Sequence, residues 1–383
     1  MDQEKQISLL SECLRLTQEE TPFDSDEETL VPVGRYLDDT QFEKERDLLF
    51  RRRLNVVAQS SQLASPGDFI TRDVVGTPVI IVRQQDGTAK AFINVCRHRG
   101  ATVELREAGN CRRFVCPYHA WTYKTDGSLT AVRHVEGFPS LDVDRTRLVE
   151  LSCLEVAGLV WICPDPNVEP TDVDADTHAL GVELDGLGLT DSVVFASETR
   201  VWNANWKLIV DGGLESYHFR IAHRDTIAQF FPDNVSTFEF VGDHVRTVLP
   251  RQSILSLATR PQSEWKIRDH THLVYAVAPN ASILVQENHY ELILMTPLAI
   301  DQTRLELMTI VPNPGPDGFS EKRSKFWRLN HEFTKKTLNE DFEIGEQIQR
   351  GMKTRANEAF RFAKFEGALT QWHERLNRSL QQD

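Results

Sequence analysis

Cysteine is scarce in this chain, six in 383 residues, which excludes a disulfide-stapled scaffold and makes metal ligation the more informative use of any cysteine close to a histidine. Basic charge is in deficit too. Lys and Arg number 43 against 57 Asp and Glu, a formal charge of −14, and a surface of that sign repels nucleic acid and anionic membrane while suiting a soluble protein that docks a redox partner. No run of about 18 apolar residues occurs, so no membrane span is expected. The opening MDQEKQISLL has neither the basic start nor the apolar core of a signal peptide, and the expected location is the cytoplasm. Internal repeats, low-complexity tracts and any glycine-rich flavin or nucleotide fingerprint are absent as well.

A length of 383 residues predicts two domains, each with a core of useful size. Residues 1–40 are acidic and polar and read as a short helix with a loose arm. A charged amphipathic pattern over 42–57 predicts a helix, after which short β-runs take over. Thr77 to Val82, a turn at Asp86-Gly87 and Ala91 to Val95 read as a hairpin; Trp121-Thr122-Tyr123 with the turn Asp126-Gly127 reads as another. Gly158 to Ile162 closes this all-β unit, assigned to residues 41–165. The Pro- and Asp-rich stretch 164–176 marks a linker. The second unit, 166–383, should hold a strand ending near Trp202, a helix, apolar runs at 273–277, 283–285, 290–295 and 305–311 that form an antiparallel sheet, a Pro/Gly loop at 312–318, and two final helical segments. The fold class is therefore α+β.

What the chain does have is two clusters of metal-ligand residues. Cys96-Arg97-His98 is followed, after residues 99–115, by Cys116-Pro117-Tyr118-His119. Such C-x-H and C-x-x-H loops let two thiolates hold one iron and two imidazoles the other in a Rieske [2Fe–2S] cluster. The same four ligand types suit structural zinc. Iron–sulfur is favoured because the ligands form two short loops separated by a hairpin-like segment, each His follows its Cys closely, and the second loop runs into the aromatic strand Trp121-Thr122-Tyr123. Cys13, Cys111, Cys153 and Cys163 are then free thiols. The second cluster, Glu215-Ser216-Tyr217-His218 with His223, offers two histidines for a mononuclear iron site. An H-x4-H pair is weak evidence alone, and an ideal helix separates positions five apart by about 140°, so a π-bulge or helix break is expected between His218 and His223.

The segment from Phe92 to Tyr123, FINVCRHRG…RRFVCPYHAWTY, resembles the Rieske domain of ring-hydroxylating oxygenases. In respiratory and photosynthetic Rieske proteins the loops carry an extra cysteine pair; Ala101 and Tyr118 stand there, as in the soluble oxygenase type. The run NWKLIVDGGLESYHFRIAH, Asn205 to His223, resembles the catalytic-domain signature of the α subunits, with His218 and His223 on its two iron-ligand positions. From Leu338 to Gln349 the chain resembles the family's E-D-x4-E-x-x-Q segment, which makes Asp341 the expected third ligand of a 2-His-1-carboxylate triad and Glu340 the fallback. Glu215 stands where most members carry an aspartate that joins a Rieske histidine of one subunit to an iron histidine of the next. Three residues before His218, it shares that residue's helix face and can hydrogen-bond the imidazole; His119 is the expected partner across the interface.

The resemblance, from about residue 40 onward, implies a Rieske β-domain beside a helix-grip catalytic domain, a head-to-tail homotrimer, a [2Fe–2S] cluster and a mononuclear non-haem Fe(II). It further implies electrons from NAD(P)H through a separate flavin reductase and, in some systems, a ferredoxin. The expected function is the terminal oxygenase component, using O₂ to hydroxylate an aromatic ring or mono-oxygenate another small organic substrate. The glutamate at 215 resembles the carnitine-type enzymes, so a quaternary-ammonium or demethylating monooxygenase is the alternative. An electron carrier without oxygenation would leave the second domain without a role, and a zinc module would leave the histidine pair idle. Phe230, Phe231, Phe238, Phe240, Tyr275 and Tyr290 are the expected pocket aromatics, suited to an arene by stacking, to a quaternary ammonium by cation–π contact, or to the core.

Overall fold

A computed structural model describes residues 1–23, 25, 27–168 and 175–381. The chain divides into two compact units, residues 47–174 and the combination of 1–46 with 175–383. The assigned linker at 164–176 lies partly outside the described residues, at 169–174. Among the described residues no helix is long and apolar enough to cross a membrane, and all six cysteines are unbonded to one another.

The unit over 47–174 is all-β. Its largest sheet has five antiparallel strands in the order Glu150–Leu151, Ala89–Ile93, Thr77–Arg83, Asp68–Val74 and Ala108–Asn110. The hairpin turn sits where Asp86-Gly87 predicts it: Gly87 takes φ +86 and Gln84 N–H bonds to Thr88 O at 2.8 Å. A second sheet holds Cys153–Val156, Leu159–Ile162 and Asn55–Gln59. The pattern over 42–57 is therefore not one helix. Asp39–Glu45 and Arg46–Arg51 are helical, the latter with π geometry, and Asn55–Val57 already belong to a fully buried strand. A third sheet, Arg113–Val115, Thr122–Lys124 and Leu129–Ala131, adds Phe114 and Tyr123, with Trp121 just ahead of its middle strand, to the core formed by Phe69, Ile80, Val82 and Phe92.

The other unit is built on a seven-stranded antiparallel sheet, in the order Ser192–Trp202, Gln302–Pro312, Tyr290–Ala299, Ala281–Val285, Thr271–Val277, His244–Pro250 and Thr237–Val241. Helix Glu321–Lys353 packs on the two strands at one end of this sheet and on helix Trp206–Gly213, the helix-grip arrangement. Ser320 caps the long helix by accepting the Arg323 N–H at 3.3 Å, and Arg350 and Lys353 occupy its last turn, where the helix dipole favours positive charge. The short helix expected in the N-terminal segment is present, and it is docked rather than loose. Helix Gln3–Glu19 buries Leu9, Leu10, Leu14 and Leu16 and packs on strand His244–Pro250, while Thr29–Pro32 pairs with Ala359–Phe362 near the other end of the chain.

Candidate metal centres and active site

The two cysteine–histidine loops share one backbone design. In the first, Cys96 N–H bonds to Ala101 O at 2.8 Å and Gly100 N–H to Cys96 O at 3.0 Å. The second repeats it, with Cys116 N–H to Trp121 O at 2.9 Å and Ala120 N–H to Cys116 O at 3.0 Å. Closure requires a left-handed residue in each, Gly100 at φ +79 and Ala120 at φ +61. The loops present buried Cys96 and Cys116 and half-buried His98 and His119, with the two Nδ1 atoms 3.1 Å apart. Two nitrogens on one iron at about 2.1 Å would stand roughly 3.0–3.5 Å apart, so the donor set fits the imidazole half of a Rieske cluster.

Sequence reasoning overlooked two supports of these loops. The Tyr123 hydroxyl accepts the Arg97 N–H at 3.0 Å and lies 3.3 Å from Cys96 Sγ, so its own proton is free to donate to a thiolate there. Trp121 stacks on His98 at 4.9 Å and 11°. Both were signalled by the aromatic strand that follows His119.

The second cluster is held by a helix with a charged anchor. Asn205 caps helix Trp206–Gly213, its Oδ1 accepting Lys207 N–H at 3.0 Å. Lys207 Nζ donates to both oxygens of buried Glu45 at 2.7 Å, and Trp206 Nε1 donates to Glu45 Oε2 at 2.8 Å. The helix stops at Gly212-Gly213, and one turn, Phe219–Ala222, follows with His218 before it and His223 after it. The interruption thus precedes His218 and does not fall between the histidines. At φ −104 and ψ 22, His223 has left helical geometry, and this brings its Nε2 to 3.2 Å from His218 Nε2 despite the five-residue spacing.

From helix Glu321–Lys353, Asp341 places Oδ1 2.9 Å from His223 Nε2 and 3.4 Å from His218 Nε2. Ligands at about 2.1 Å and right angles would stand roughly 3.0 Å apart, so these three atoms fit one face of an octahedral iron. The remaining ring nitrogens point away from that face. His218 Nδ1 bonds to Glu215, whose Oε2 also accepts the His218 backbone N–H at 3.2 Å. His223 Nδ1 lies 2.8 Å from Glu340 Oε2, which accepts from Thr226 Oγ1 at 2.7 Å as well. Glu340 therefore stands behind His223, outside the three-atom face. Burial opposes charge on His218, but Asp341 and Glu215 outweigh it and raise its pKa to about 10; the same negative field favours a dication.

The three-atom face opens on a cavity of about 730 Å³, which also exposes Phe219, Phe230, Phe231, Phe333 and His272. Phe230 and Phe231 line it as expected. Phe238, Phe240, Tyr275 and Tyr290 do not. Strand alternation explains the tyrosines: His272 and Val274 face the cavity, so Tyr275 points to the opposite side, where its hydroxyl donates to Glu183 at 3.1 Å. Tyr290 accepts from Arg268 at 2.6 Å, and Phe240 lies under the Arg375 guanidinium at 3.8 Å.

Rieske loops in one unit and a helix-grip catalytic unit in the other define an oxygenase α-subunit architecture. The Rieske [2Fe-2S] domain matches residues 53–142 and the ring-hydroxylating alpha subunit catalytic domain matches residues 189–382, half of the chain, so this chain belongs to the ring-hydroxylating alpha subunit family. The carnitine monooxygenase oxygenase subunit of Escherichia coli (strain K12) is 37% identical over 195 residues, 50% of this chain and 52% of that protein. The glycine betaine monooxygenase oxygenase subunit of Pseudomonas aeruginosa (strain UCBPP-PA14) is 28% identical over 197 residues, 51% and 45% of the two. The chain spans about half the length of the curated relatives it matches. Among solved structures, the quaternary ammonium Rieske monooxygenase CntA in complex with substrate L-carnitine superposes with a TM-score of 0.76 at 25% identity, over 91% of this chain and 95% of that one. Naphthalene 1,2-dioxygenase from Rhodococcus sp. shares the fold, with a TM-score of 0.76 at 20% identity over 98% of each chain.

Proposed function

We propose that this chain is the terminal oxygenase component of a Rieske non-haem iron system, with Cys96, His98, Cys116 and His119 holding the [2Fe–2S] cluster and His218, His223 and Asp341 the mononuclear iron. The observation that carries the reading is the convergence of two imidazole nitrogens and one carboxylate oxygen, 2.9–3.4 Å apart, on the wall of a 730 Å³ cavity. Held by the two loops, a [2Fe–2S] cluster would supply single electrons, and an iron held by the three-atom face would activate O₂. The chain's own residues do the rest. Glu215 and Glu340 keep a proton on Nδ1 of His218 and His223, so that both Nε2 lone pairs face the metal. Phe219, Phe230 and Phe231 exclude water from the reacting face. Glu215 serves as the bridge through which electrons reach this site from His119 of a neighbouring subunit in a homotrimer. The electrons come from NAD(P)H through a flavin reductase, with or without a ferredoxin, in the cytoplasm.

A quaternary ammonium compound is the substrate class best supported. Asp211, Glu215 and Glu366 line the same cavity as the phenylalanines; Asp211 is bonded to Tyr36 and His373, Glu215 to His218 and Glu366 to the Ala363 N–H, so they act on an onium group through the negative field of the wall while the rings offer cation–π contact. Carnitine and glycine betaine monooxygenases among the relatives point the same way. The phenylalanines also favour a second reading, an arene substrate, as for the chlorobenzene dioxygenase subunit alpha of Cupriavidus sp. (strain PS12), 30% identical over 205 residues. The test is O₂ uptake with product mass on iron- and sulfide-replete protein supplied with reductase, comparing γ-butyrobetaine, choline and naphthalene. Coupled product from the ammonium compounds alone is expected; coupled oxygenation of naphthalene alone selects the second reading, and zinc without acid-labile sulfide in the purified protein defeats both.

A further inference from the structure

Charge is unevenly distributed around the cavity. Asp211, Glu215 and Asp341 line it from the helical segments that carry the iron site and Glu366 from the turn Lys364–Glu366, whereas Arg251 lines it from just past the end of strand His244–Pro250. A second lining guanidinium, Arg361, is committed to a surface ion pair with Glu28. Arg251 is differently placed. Its Nη2 donates to Gln286 Oε1 at 3.3 Å and its Nη1 to Glu287 Oε2 at 3.1 Å, the latter side chain 59% exposed and so a weak, screened partner. Those bonds leave the other side-chain donors of Arg251 without a partner among the described residues. Beside it, buried His272 has Nδ1 3.0 Å from the same Gln286 Oε1. Burial and the Arg251 charge push the His272 pKa down to about 3, so the ring stays neutral and Nδ1–H is the donor. With two donors on its oxygen, the Gln286 amide is fixed, and its NH₂ is a further donor on the cavity wall.

We propose that Arg251, braced by Gln286 and His272, is a subsite for the anionic end of a zwitterionic substrate whose onium end lies against the carboxylates near the iron site. The orientation of the substrate rests on the quaternary-ammonium reading; the anion subsite itself rests on Arg251. A carboxylate would displace the exposed Glu287 contact with a charge-assisted, two-point bond, and the opposed charges would admit the substrate in one direction only. Truncated cations without an acid group would bind without that constraint.

The experiment measures dissociation constants by calorimetry on the anaerobic holoenzyme. The probes are γ-butyrobetaine, its methyl ester, and its carbon isostere in which the quaternary nitrogen is replaced by carbon. The acid is expected to bind about tenfold or more tighter than the ester. Arg251→Met should bring the two to near equality while changing ester affinity little, and Arg251→Lys should keep part of the preference. A merely structural role for Arg251 would weaken acid and ester alike, which overturns the proposal. Equal affinity of acid and ester for the unaltered protein also overturns it and needs no variant to fold. If the carbon isostere binds as tightly as γ-butyrobetaine and depends equally on Arg251, the anion subsite stands and the ammonium reading falls. If no probe binds, both fall.

Discussion

The paired loops over 96–121 and the site built from His218, His223 and Asp341 hold candidate ligands by opposite strategies. Each loop closes on itself with two backbone hydrogen bonds, and all four cysteine and histidine side chains come from one short stretch of chain. In the other site, two histidines flank a single helical turn and the carboxylate arrives from a helix more than a hundred residues later. The first geometry depends on local turns; the second depends on the sheet, the long helix and a buried anchor at Glu45 holding their places together. Damage should therefore spread differently from the two.

The largest expected effects test that independence. Cys116→Ala should abolish the visible Rieske absorption by removing a thiolate, and turnover with it, while iron still binds at the other site. His218→Ala or Asp341→Ala should spare the absorption and remove the mononuclear iron together with all turnover. Glu340→Ala should retain the iron but bind it about 10–100-fold more weakly, since it supports His223 from behind. An Asp341→Ala protein that keeps its iron, beside a Glu340→Ala protein that loses it, would exchange the roles of these neighbours.

Next in size is the link between the two regions. Glu215→Gln should leave both metals bound and slow reoxidation of the reduced cluster in single turnover by about an order of magnitude or more, because the charge that favours the imidazole contact is gone. Mixed oligomers of Cys116→Ala and His218→Ala subunits should regain part of their activity, an intact cluster on one chain feeding intact iron on another. No recovery in verified mixed oligomers would place the transfer within one chain. A near-normal rate in Glu215→Gln would remove this residue from the route.

Stability separates the regions further. Glu45 and Lys207 have side chains 0% and 1% exposed, and Trp206 Nε1 bonds to the same carboxylate. Removing one member strands the other charge in the interior, so Glu45→Ala should destabilise the unit that holds the iron site by about 3–5 kcal/mol. Calorimetric unfolding followed beside the Rieske absorption would show that unit melting earlier with the cluster signal unchanged. Simultaneous loss of both would mean the units do not unfold separately.

The same contrast decided what could be read in advance. The hairpins and most sheet strands announced themselves by β-branched runs and Gly turns, and the loop residues by spacing, because those signals are local. Asn55–Val57 were misassigned because a charged amphipathic pattern ran on into them, although Val56 and Val57 are wholly buried. The short helix expected within residues 1–40 is there as Gln3–Glu19, but its docking was not legible because the strand on which it packs lies far along the sequence. Asp341, which the structure brings within 2.9 Å of His223 Nε2, was singled out only through family likeness, since one carboxylate on an acidic helix has no distinguishing period. Glu45 was missed for the same reason: nothing near it in sequence mentions Lys207. Of the expected cavity aromatics, Phe230 and Phe231 line it, whereas Tyr275 failed by parity, as a strand places alternate residues on opposite faces and it fell on the other one.

The smallest expected effect lies within the two loops, where equivalent positions carry Gly100 at φ +79 and Ala120 at φ +61. A side chain in the left-handed region is disfavoured by roughly 1–2 kcal/mol, whereas glycine there is unstrained but frees the unfolded chain by about 0.4–1 kcal/mol. No atom lies within 4 Å of a Cβ built on Gly100, so Gly100→Ala meets no clash and should destabilise by about 1 kcal/mol from backbone strain alone. Ala120→Gly relieves strain and loses order in comparable amounts, leaving stability within about 1 kcal/mol of the unaltered protein, on the side of a gain. Chemical unfolding monitored by the cluster absorption would measure both. If Ala120→Gly were instead the more damaging change, the methyl of Ala120 would have to contribute packing to the second loop that the first does without, and the two loops would be alike in backbone but not in what stabilises them.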